Sequence, residues 1–269
     1  MTKEEFYQAI GLSQGAQMAL GEVRLNKTKE RYWEQKFYND RVAFYEWLRN
    51  MPNGSLTALA VYIELALNTY QSYQEQGIEQ QVYIDTFRDL AIWCEHNYKM
   101  SGSFGILEWE WLSYSVDMRV FRLGRLQFEP TVLDREVVWN EAVIPVGTKV
   151  LNVHIPEGEP LLKSACDRSF EKAKEFFQKE YPYAVCTTWL LSPELGELLD
   201  ATSNIYQFQQ RFYIYDVDHS FPQIEQRVFG KISRDKARYP EQNELQRKVK
   251  QKLLAGTDFG MGCGILVCS

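Results

Sequence analysis

Residues 149–191, KVLNVHIPEGEPLLKSACDRSFEKAKEFFQKEYPYAVCTTWLL, form the stretch that decides the fold. Residues 149–155 are rich in β-branched side chains and run into a Pro-Glu-Gly-Glu-Pro sequence, which is typical of a strand that ends at a turn. Because side chains alternate between the two faces of a strand, one face is apolar and the other carries Asn152 and His154. The sequence therefore predicts a strand with one polar side.

A helix and a second strand follow this first strand. Proline is favoured in the first turn of a helix, so Pro160 marks a helix start, and apolar or small residues then recur at helical spacing up to Tyr181. Residues 183–191 are apolar on both faces, as expected for a central strand that is covered on both sides. The order strand, helix, strand predicts a βαβ unit.

The chain upstream of Arg122 has the hydrophobic period of helices rather than strands. The first helix is expected to run uninterrupted through residues 29–48, and Ser55 is expected to cap the second. Four apolar stripes define the predicted helices: Trp33, Phe37, Phe44 and Leu48; Leu56, Leu59, Ile63, Leu67 and Tyr70; Tyr83, Phe87, Leu90, Cys94 and Tyr98; Leu107, Trp111, Tyr114, Met118 and Phe121. Residues 1–122 are therefore predicted to form a helical, bundle-like domain.

The chain downstream of Arg122 combines strands and helices. Further predicted elements are strands at 125–128, 137–139, 205–217 and 264–268, a short helix at 192–199 and a polar helix at 241–254. In the strand at 205–217, Tyr213 and Tyr215 are expected on the hydrated face, and the glycine-rich residues 260–264 are expected to form a tight turn. Residues 123–269 are therefore predicted to form an α+β or α/β domain, a mixed sheet flanked by helices.

The composition excludes several classes of protein. Thirty Lys and Arg against thirty-six Asp and Glu give a net charge of −6, so a general nucleic-acid binder is not expected. The five cysteines lack any CxxC spacing, which predicts neither a disulfide framework nor a zinc site, and Asp216, Asp218 and His219 are too few for a metal site. Residues 56–70 are too short to span a bilayer, and no signal sequence opens the chain. A cytoplasmic protein without metal or membrane is expected.

Three motifs carry a resemblance to a known family. VLNVHIPEGEPL at 150–161, TWLLSPEL at 188–195 and SNIYQFQQRF at 203–212 resemble a bacterial family of two-domain acyltransferases, in which a helical N-terminal domain precedes a GNAT-like domain (the N-acetyltransferase fold). The resemblance implies an acyl-CoA-dependent N-acyltransferase. Such an enzyme transfers an acetyl or related group from acetyl-CoA or another acyl-CoA to a small-molecule amine by direct attack.

The resemblance also implies where the cofactor binds. A strand splays from its neighbour near residues 153–156, and its backbone pairs with the pantetheine arm, while the next helix offers free amides to the pyrophosphate. The expected cofactor-binding residues are Val153, Ile155, Gly158, Leu161, Leu162 and Lys163.

The resemblance further suggests candidates for proton transfer. His154 or Glu157 would take the amine proton, and Tyr213 or Tyr215 would protonate the departing thiolate. Each has a structural alternative: a hydrogen-bonded strand histidine for His154, a helix cap together with Glu159 for Glu157, and cross-strand packing for the tyrosines. Buried Cys186 is expected to be an inert thiol rather than a nucleophile.

Two charge features keep other functions open. Glu157 and Glu159 flank Gly158, and carboxylates near a pyrophosphate repel it, which favours a catalytically inactive GNAT-like module that binds a small ligand or a protein partner. An interaction scaffold built on the aromatic-rich bundle is a third possibility. Residues 219–252 hold nine Lys and Arg against four acids, either to clamp anionic phosphates or to form a solvated surface.

Overall fold

The structure is a computed structural model that describes residues 1–23, 25 and 27–268. The chain divides into two compact units, which consist of Met1–Leu123 with Pro156–Gly158 and of Gly124–Ile155 with Glu159–Ser269. Among the described residues, no helix is long and apolar enough to cross a membrane.

The first unit is helical, which confirms the prediction for the N-terminal region. Its elements are α1 (Lys3–Ile10), α2 (Gln14–Gly21), α3 (Lys27–Asn39), α4 (Arg41–Arg49), α5 (Gly54–Glu75), α6 (Gln80–Ser101), α7 (Trp109–Val116) and a short strand β1 (Phe121–Leu123). Helices α5 and α6 pack against each other, and an aromatic cluster of Phe6, Tyr73, Tyr83 and Phe87 lies beside them with ring centroids 4.9–6.2 Å apart. Burial of these large rings supplies the core of the unit.

The predicted single helix through residues 29–48 is wrong, because the chain breaks at Asp40. The backbone of Asp40 is not helical, and its side-chain oxygen accepts a hydrogen bond of 3.0 Å from the Ala43 amide, so Asp40 starts a new helix, α4. The apolar stripe survives the break, since the rings of Phe37 and Phe44 still meet at 5.1 Å. Helix α5 also begins one residue before Ser55, after Asn53 in the left-handed region.

The second unit is a mixed sheet flanked by helices, which confirms the predicted fold class. Its elements are β2 (Leu126–Val132), β3 (Val137–Trp139), β4 (Ala142–Ile144), β5 (Lys149–His154), α8 (Lys163–Phe176), β6 (Tyr183–Thr188), a 3-10 turn (Trp189–Leu191), α9 (Pro193–Gly196), α10 (Asn204–Gln209), β7 (Tyr213–Asp218), α11 (Gln223–Phe229), a second 3-10 turn (Lys236–Arg238), α12 (Glu244–Leu254) and β8 (Met261–Val267). Within the described residues of the unit, the sheet order is β2-β5-β6-β8-β7. Strands β5 and β6 pair in parallel, and the pairs β2–β5, β6–β8 and β7–β8 are antiparallel.

Two predictions for this unit are wrong. The predicted strand at 205–217 is a helix, α10, followed by the shorter strand β7, because Ser203 caps the helix through a 3.1 Å hydrogen bond from the Tyr206 amide. The glycine-rich residues 260–264 lie largely in strand β8 rather than in a tight turn. A Cβ on Gly262 would lie 2.0 Å from the backbone oxygen of Leu191, so glycine lets the 3-10 turn approach the sheet.

Candidate functional site

The sheet opens between its two parallel strands. In the described chain, the pairing of β5 with β6 ends at Asn152 and Val185. Strand β5 nevertheless stays paired with β2 as far as His154, and β6 stays paired with β8 as far as Thr188. The end of β5 therefore borders a gap in the sheet, at the position where the sequence predicts the splay. Strand ends that separate in this way are suited to pair with an extended ligand.

The side chains of the predicted pantetheine-binding residues are buried or half-buried. Val153 is buried, and Ile155 is half-buried. Leu161, just ahead of α8, is also buried. These residues can therefore contribute their backbone groups, as the prediction requires, while their side chains pack in the protein.

The start of α8 lies directly after the predicted phosphate loop. Leu162 is the N-cap residue with a non-helical backbone, and its carbonyl accepts 3.0 Å hydrogen bonds from the Ala165 and Cys166 amides. The side chain of Leu162 itself cannot accept a hydrogen bond from the first-turn amides. The alternative that Glu157 and Glu159 cap this helix stays a prediction. The first-turn amides and the helix dipole together suit an anionic group.

Two guanidinium groups hold the backbone around this helix start. Arg125 is 6% exposed, and it donates hydrogen bonds of 2.6 and 3.2 Å to the carbonyls of Glu159 and Pro160. Arg211 donates a hydrogen bond of 2.9 Å to the carbonyl of Lys163. Both groups place positive charge beside the segment that the resemblance assigns to the pyrophosphate. Sequence reasoning missed both arginines, because neither lies in the loop itself.

The side chains at the surface of this helix start form a small charged network. Lys163 contacts Asp167 at 3.1 Å, and Arg211 contacts the same carboxylate at 2.6 Å. The hydrogen bond from Arg211 is the main cause that lowers the pKa of Asp167, so this carboxylate is negatively charged at neutral pH. The Lys163 ammonium is therefore already paired, and its predicted contribution to cofactor binding rests mainly on its backbone amide.

His154 is held by a carboxylate on the neighbouring strand. Its Nε2 atom lies 3.0 Å from Glu129 Oε2, and the Asn152 side-chain nitrogen lies 3.3 Å from both atoms. In the sheet register Glu129 faces Asn152, and Gln127 faces His154, so all of these side chains share one face. The structure thus brings a histidine and a carboxylate together beside the gap. Sequence reasoning missed Glu129, although an acid inside an alternating strand is an unusual signal.

Glu157 and Gly158 belong to the first unit. Glu157 Oε2 lies 3.0 Å from Nδ1 of His96 on α6. Gly158 has φ = +96°, a backbone conformation that favours glycine, and no atom lies within 4 Å of a Cβ placed there. Glu157 is thus engaged with a histidine of α6.

The structure places Tyr213 and Tyr215 away from the gap. Both lie on the edge strand β7, which β8 separates from β6, so they are about 10 Å across the sheet from the gap. The ring of Tyr213 stacks on Trp139 at 6.0 Å, and Tyr215 packs against an apolar cluster in which burial raises its pKa to about 12. Cross-strand and core packing explain both tyrosines, so neither is assigned to protonate the thiolate.

Much of the basic segment at 219–252 is engaged in ion pairs. The pairs are Lys236 with Glu225, Arg238 with Asp235, Lys248 with Glu244, Lys250 with Glu241 and Lys252 with Glu197. They neutralise all four acids of the segment. This pattern favours a solvated, structural surface over a phosphate clamp.

The remaining candidates take structural roles. Cys186 is buried, and burial raises the pKa of its thiol to about 12, which keeps it protonated and inert. His219 pairs with Asp258 at 3.0 Å. No group of three or more potential metal ligands occurs in the part of the chain that the structure describes.

Solved structures with the same fold are acyltransferases. An acyltransferase in complex with decanoyl-CoA and teicoplanin has a TM-score of 0.78 and 21% identity. The aligned region covers 99% of this chain and 87% of the chain of that acyltransferase. An acyltransferase in complex with CoA and 10C-teicoplanin has a TM-score of 0.79, 20% identity and coverage of 99% and 87%. A third, in complex with decanoyl-CoA, has a TM-score of 0.67, 23% identity and 99% coverage of both chains. At these identities the likeness shows the fold.

The family comparison is more specific. Comparison with curated proteins finds no significant match. The model of an N-acyltransferase N-terminal domain matches residues 1–118, and that of a GNAT-like C-terminal domain matches residues 120–266. The chain therefore belongs to the family in which an N-acyltransferase N-terminal domain is followed by a GNAT-like C-terminal domain.

Proposed function

We propose that this protein is an acyl-CoA-dependent N-acyltransferase that transfers an acyl group to an amine of a small-molecule acceptor. The observation that carries the proposal is the gap between β5 and β6, which is bordered by the end of β5 and followed by the start of α8. A thioester with a pyrophosphate requires backbone groups that pair with its extended arm and amides that face its phosphates, and a strand end beside a gap followed by a helix start is suited to supply both.

The backbone would bind the donor. Residues 153–155 would pair with the pantetheine arm, and the amides of Lys163 and Ser164 would face the pyrophosphate. Arg125 and Arg211 hold the carbonyls of this segment, so its amides are kept in place before the donor arrives. Such preorganisation lowers the entropy cost of binding. Their positive charge also offsets the negative charge of the Glu159 carboxylate. That negative charge was one of the two features that favoured an inactive module.

The reaction would be a direct transfer. The acceptor nitrogen attacks the thioester carbonyl, the C–N bond forms, and the C–S bond breaks to release the CoA thiolate. His154 would take the proton that the nitrogen loses, because it borders the gap and its ring is hydrogen-bonded to Glu129. Glu157, the other predicted base, is bonded to His96, so we assign the base to His154. The products are an amide and CoA.

The neighbours suggest which substrates to test first. Their complexes contain decanoyl-CoA, CoA, octanoyl-CoA and the glycopeptide teicoplanin. We therefore include medium acyl chains beside acetyl-CoA as donors, and a glycopeptide beside simple amines as acceptors. The five free cysteines suit the reducing cytoplasm, in which acyl-CoA is available.

Calorimetry followed by a thiol-release assay tests the proposal. Acetyl-, octanoyl- and decanoyl-CoA are titrated first, and CoA release is then measured with a panel of amines and teicoplanin. We expect binding of at least one donor and a rate that His154→Ala lowers by roughly 10² to 10⁴. His219→Ala is the matched control, because His219 also pairs with a carboxylate but lies outside the proposed site. Absence of binding up to millimolar donor would refute the proposal.

The inactive-module alternative makes a different prediction. It rests on Glu157 and Glu159, the two acids in the loop. A module of this kind would bind acyl-CoA weakly or not at all, and it would co-purify with another ligand or a partner protein. Mass spectrometry of the undenatured protein distinguishes the two, because co-purified CoA supports only the transferase.

A further inference from the structure

Each of the three histidines of the chain lies 3.0 Å from a carboxylate oxygen. The pairs are His96 with Glu157, His154 with Glu129, and His219 with Asp258. The side chains of the pairs are 40% and 35%, 26% and 10%, and 46% and 76% exposed, respectively. Electrostatic attraction strengthens as water is excluded. The attraction between His154 and Glu129, the least exposed of the three pairs, is therefore the least weakened by solvent.

The hydrogen bonds around this pair fix the position of the ring proton. Glu129 Oε2 lies 3.0 Å from His154 Nε2 and 3.3 Å from Asn152 Nδ2. A carboxylate can only accept, so both nitrogens must donate to it. The 3.3 Å contact between Asn152 Nδ2 and His154 Nε2 then joins two atoms that both carry hydrogen, and it is not a hydrogen bond. Neutral His154 therefore carries its proton on Nε2, which leaves the basic lone pair on Nδ1.

We propose that Glu129 is a positioning residue, which holds His154 with its proton on Nε2 so that Nδ1 accepts the proton of the acceptor amine. This inference rests on the proposed function, in which His154 is the base. During transfer the proton moves from the acceptor nitrogen to Nδ1 as the C–N bond forms, and the ring becomes positively charged. The carboxylate of Glu129 then stabilises that charge from the other side of the ring, without taking the proton itself.

The position of Glu129 suits this role. It lies on β2, which is antiparallel to β5, and the paired strands fix its distance from His154 more firmly than a loop would. Its carboxylate is also held by Asn152, the residue directly opposite it in the register. Removing the charge of Glu129 should therefore affect the chemical step more than substrate binding.

Nuclear magnetic resonance of protein labelled with ¹⁵N at histidine tests the proton position without any substrate. With only three histidines, His154→Asn assigns the signal. At a pH where the ring is neutral, we expect the Nε2–H tautomer for His154 and a low-field Nε2 proton that Glu129→Gln shifts upfield. Asp258→Asn is the matched control and should leave the His154 signals unchanged. An Nδ1–H tautomer for His154 in the unmodified protein would overturn the proposal.

Kinetics supply the second test. We expect Glu129→Gln to lower kcat by roughly 10²-fold while the KM values for donor and acceptor stay within about twofold. Asp258→Asn should leave both parameters unchanged. If His154→Ala lowers kcat but Glu129→Gln does not, the positioning role fails and the proposed function stands. If His154→Ala leaves kcat unchanged, the base assignment fails, whatever the tautomer.

Discussion

Replacing Arg125 by methionine tests the proposed pyrophosphate site most directly. The side chain is 6% exposed and donates to two backbone carbonyls, those of Glu159 and Pro160. Methionine keeps most of the apolar stem but removes every donor, so two carbonyls of the loop lose a charged partner.

The size of the effect follows from these two bonds. A hydrogen bond to a charged group contributes about 1.5–3 kcal/mol to stability. Part of this loss is offset because burying methionine carries no desolvation cost, unlike burying a guanidinium. We expect the free energy of unfolding to fall by about 2–4 kcal/mol. We also expect the Kd for acyl-CoA to rise at least tenfold, or about 1.4 kcal/mol, because the loop is no longer preorganised.

Urea unfolding measures the first quantity and calorimetry the second. Arg168→Met is the matched control, since Arg168 lies on the same helix α8 with an exposed side chain. Its stability should stay within about 0.5 kcal/mol of the unmodified protein. Unchanged acyl-CoA affinity in a folded Arg125→Met protein would refute the assignment of this segment to the pyrophosphate. Unchanged stability would refute the energetic reasoning.

Three further outcomes are expected. Gly262→Ala should lower the free energy of unfolding by about 1–3 kcal/mol, because the added Cβ would meet the 3-10 turn. Gly21→Ala, on an open helix surface, should raise the free energy of unfolding by about 0.5–1 kcal/mol. Urea unfolding of the two variants measures both changes. Because burial raises the pKa of the Cys186 thiol to about 12, alkylation at pH 8 should modify it only after unfolding, as mass mapping can show. Because Arg211 lowers the pKa of Asp167, the stability from this carboxylate is present above its unfolded pKa and lost as pH falls below about 4. Asp167→Asn should therefore weaken the acid dependence of stability, measured by unfolding at pH 2.5 to 6.

Residues 203–217 show why local pattern alone misplaced one element. The alternation Ile-Tyr-Gln-Phe-Gln at 205–209 fits the two-residue period of a strand. A stretch this short also fits about one and a half turns of a helix. The hydroxyl of Ser203, which caps the Tyr206 amide, decides in favour of the helix. The βαβ unit was predictable because residues 149–155 and 183–188 have the period of strands, with a helical stripe between them.

Glu129 shows what sequence could not supply for the site. His154 could be chosen from its position on the polar face of β5, but its partner lies 25 residues earlier in the chain. The two meet only because the register sets Glu129 opposite Asn152. A shift of one residue would turn Glu129 to the other face, and the pairing depends on two strands that lie far apart in the chain. Contacts between strands therefore had to come from the structure.

Contacts between residues far apart in the chain also change how the acids of the loop should be interpreted. A count along the chain places two carboxylates on either side of Gly158, and that count predicts repulsion of a pyrophosphate. In the first unit, however, Glu157 is paired with His96. In the second unit, the backbone around Glu159 is held by the guanidinium of Arg125, a residue 34 positions earlier. The electrostatic potential at a ligand depends on all charges within about a Debye length, not on neighbours in sequence. The departure from the usual glycine-rich loop is therefore compatible with an anionic cofactor, provided that the positive charge comes from Arg125, which directly precedes strand β2, and from Arg211 rather than from the loop itself.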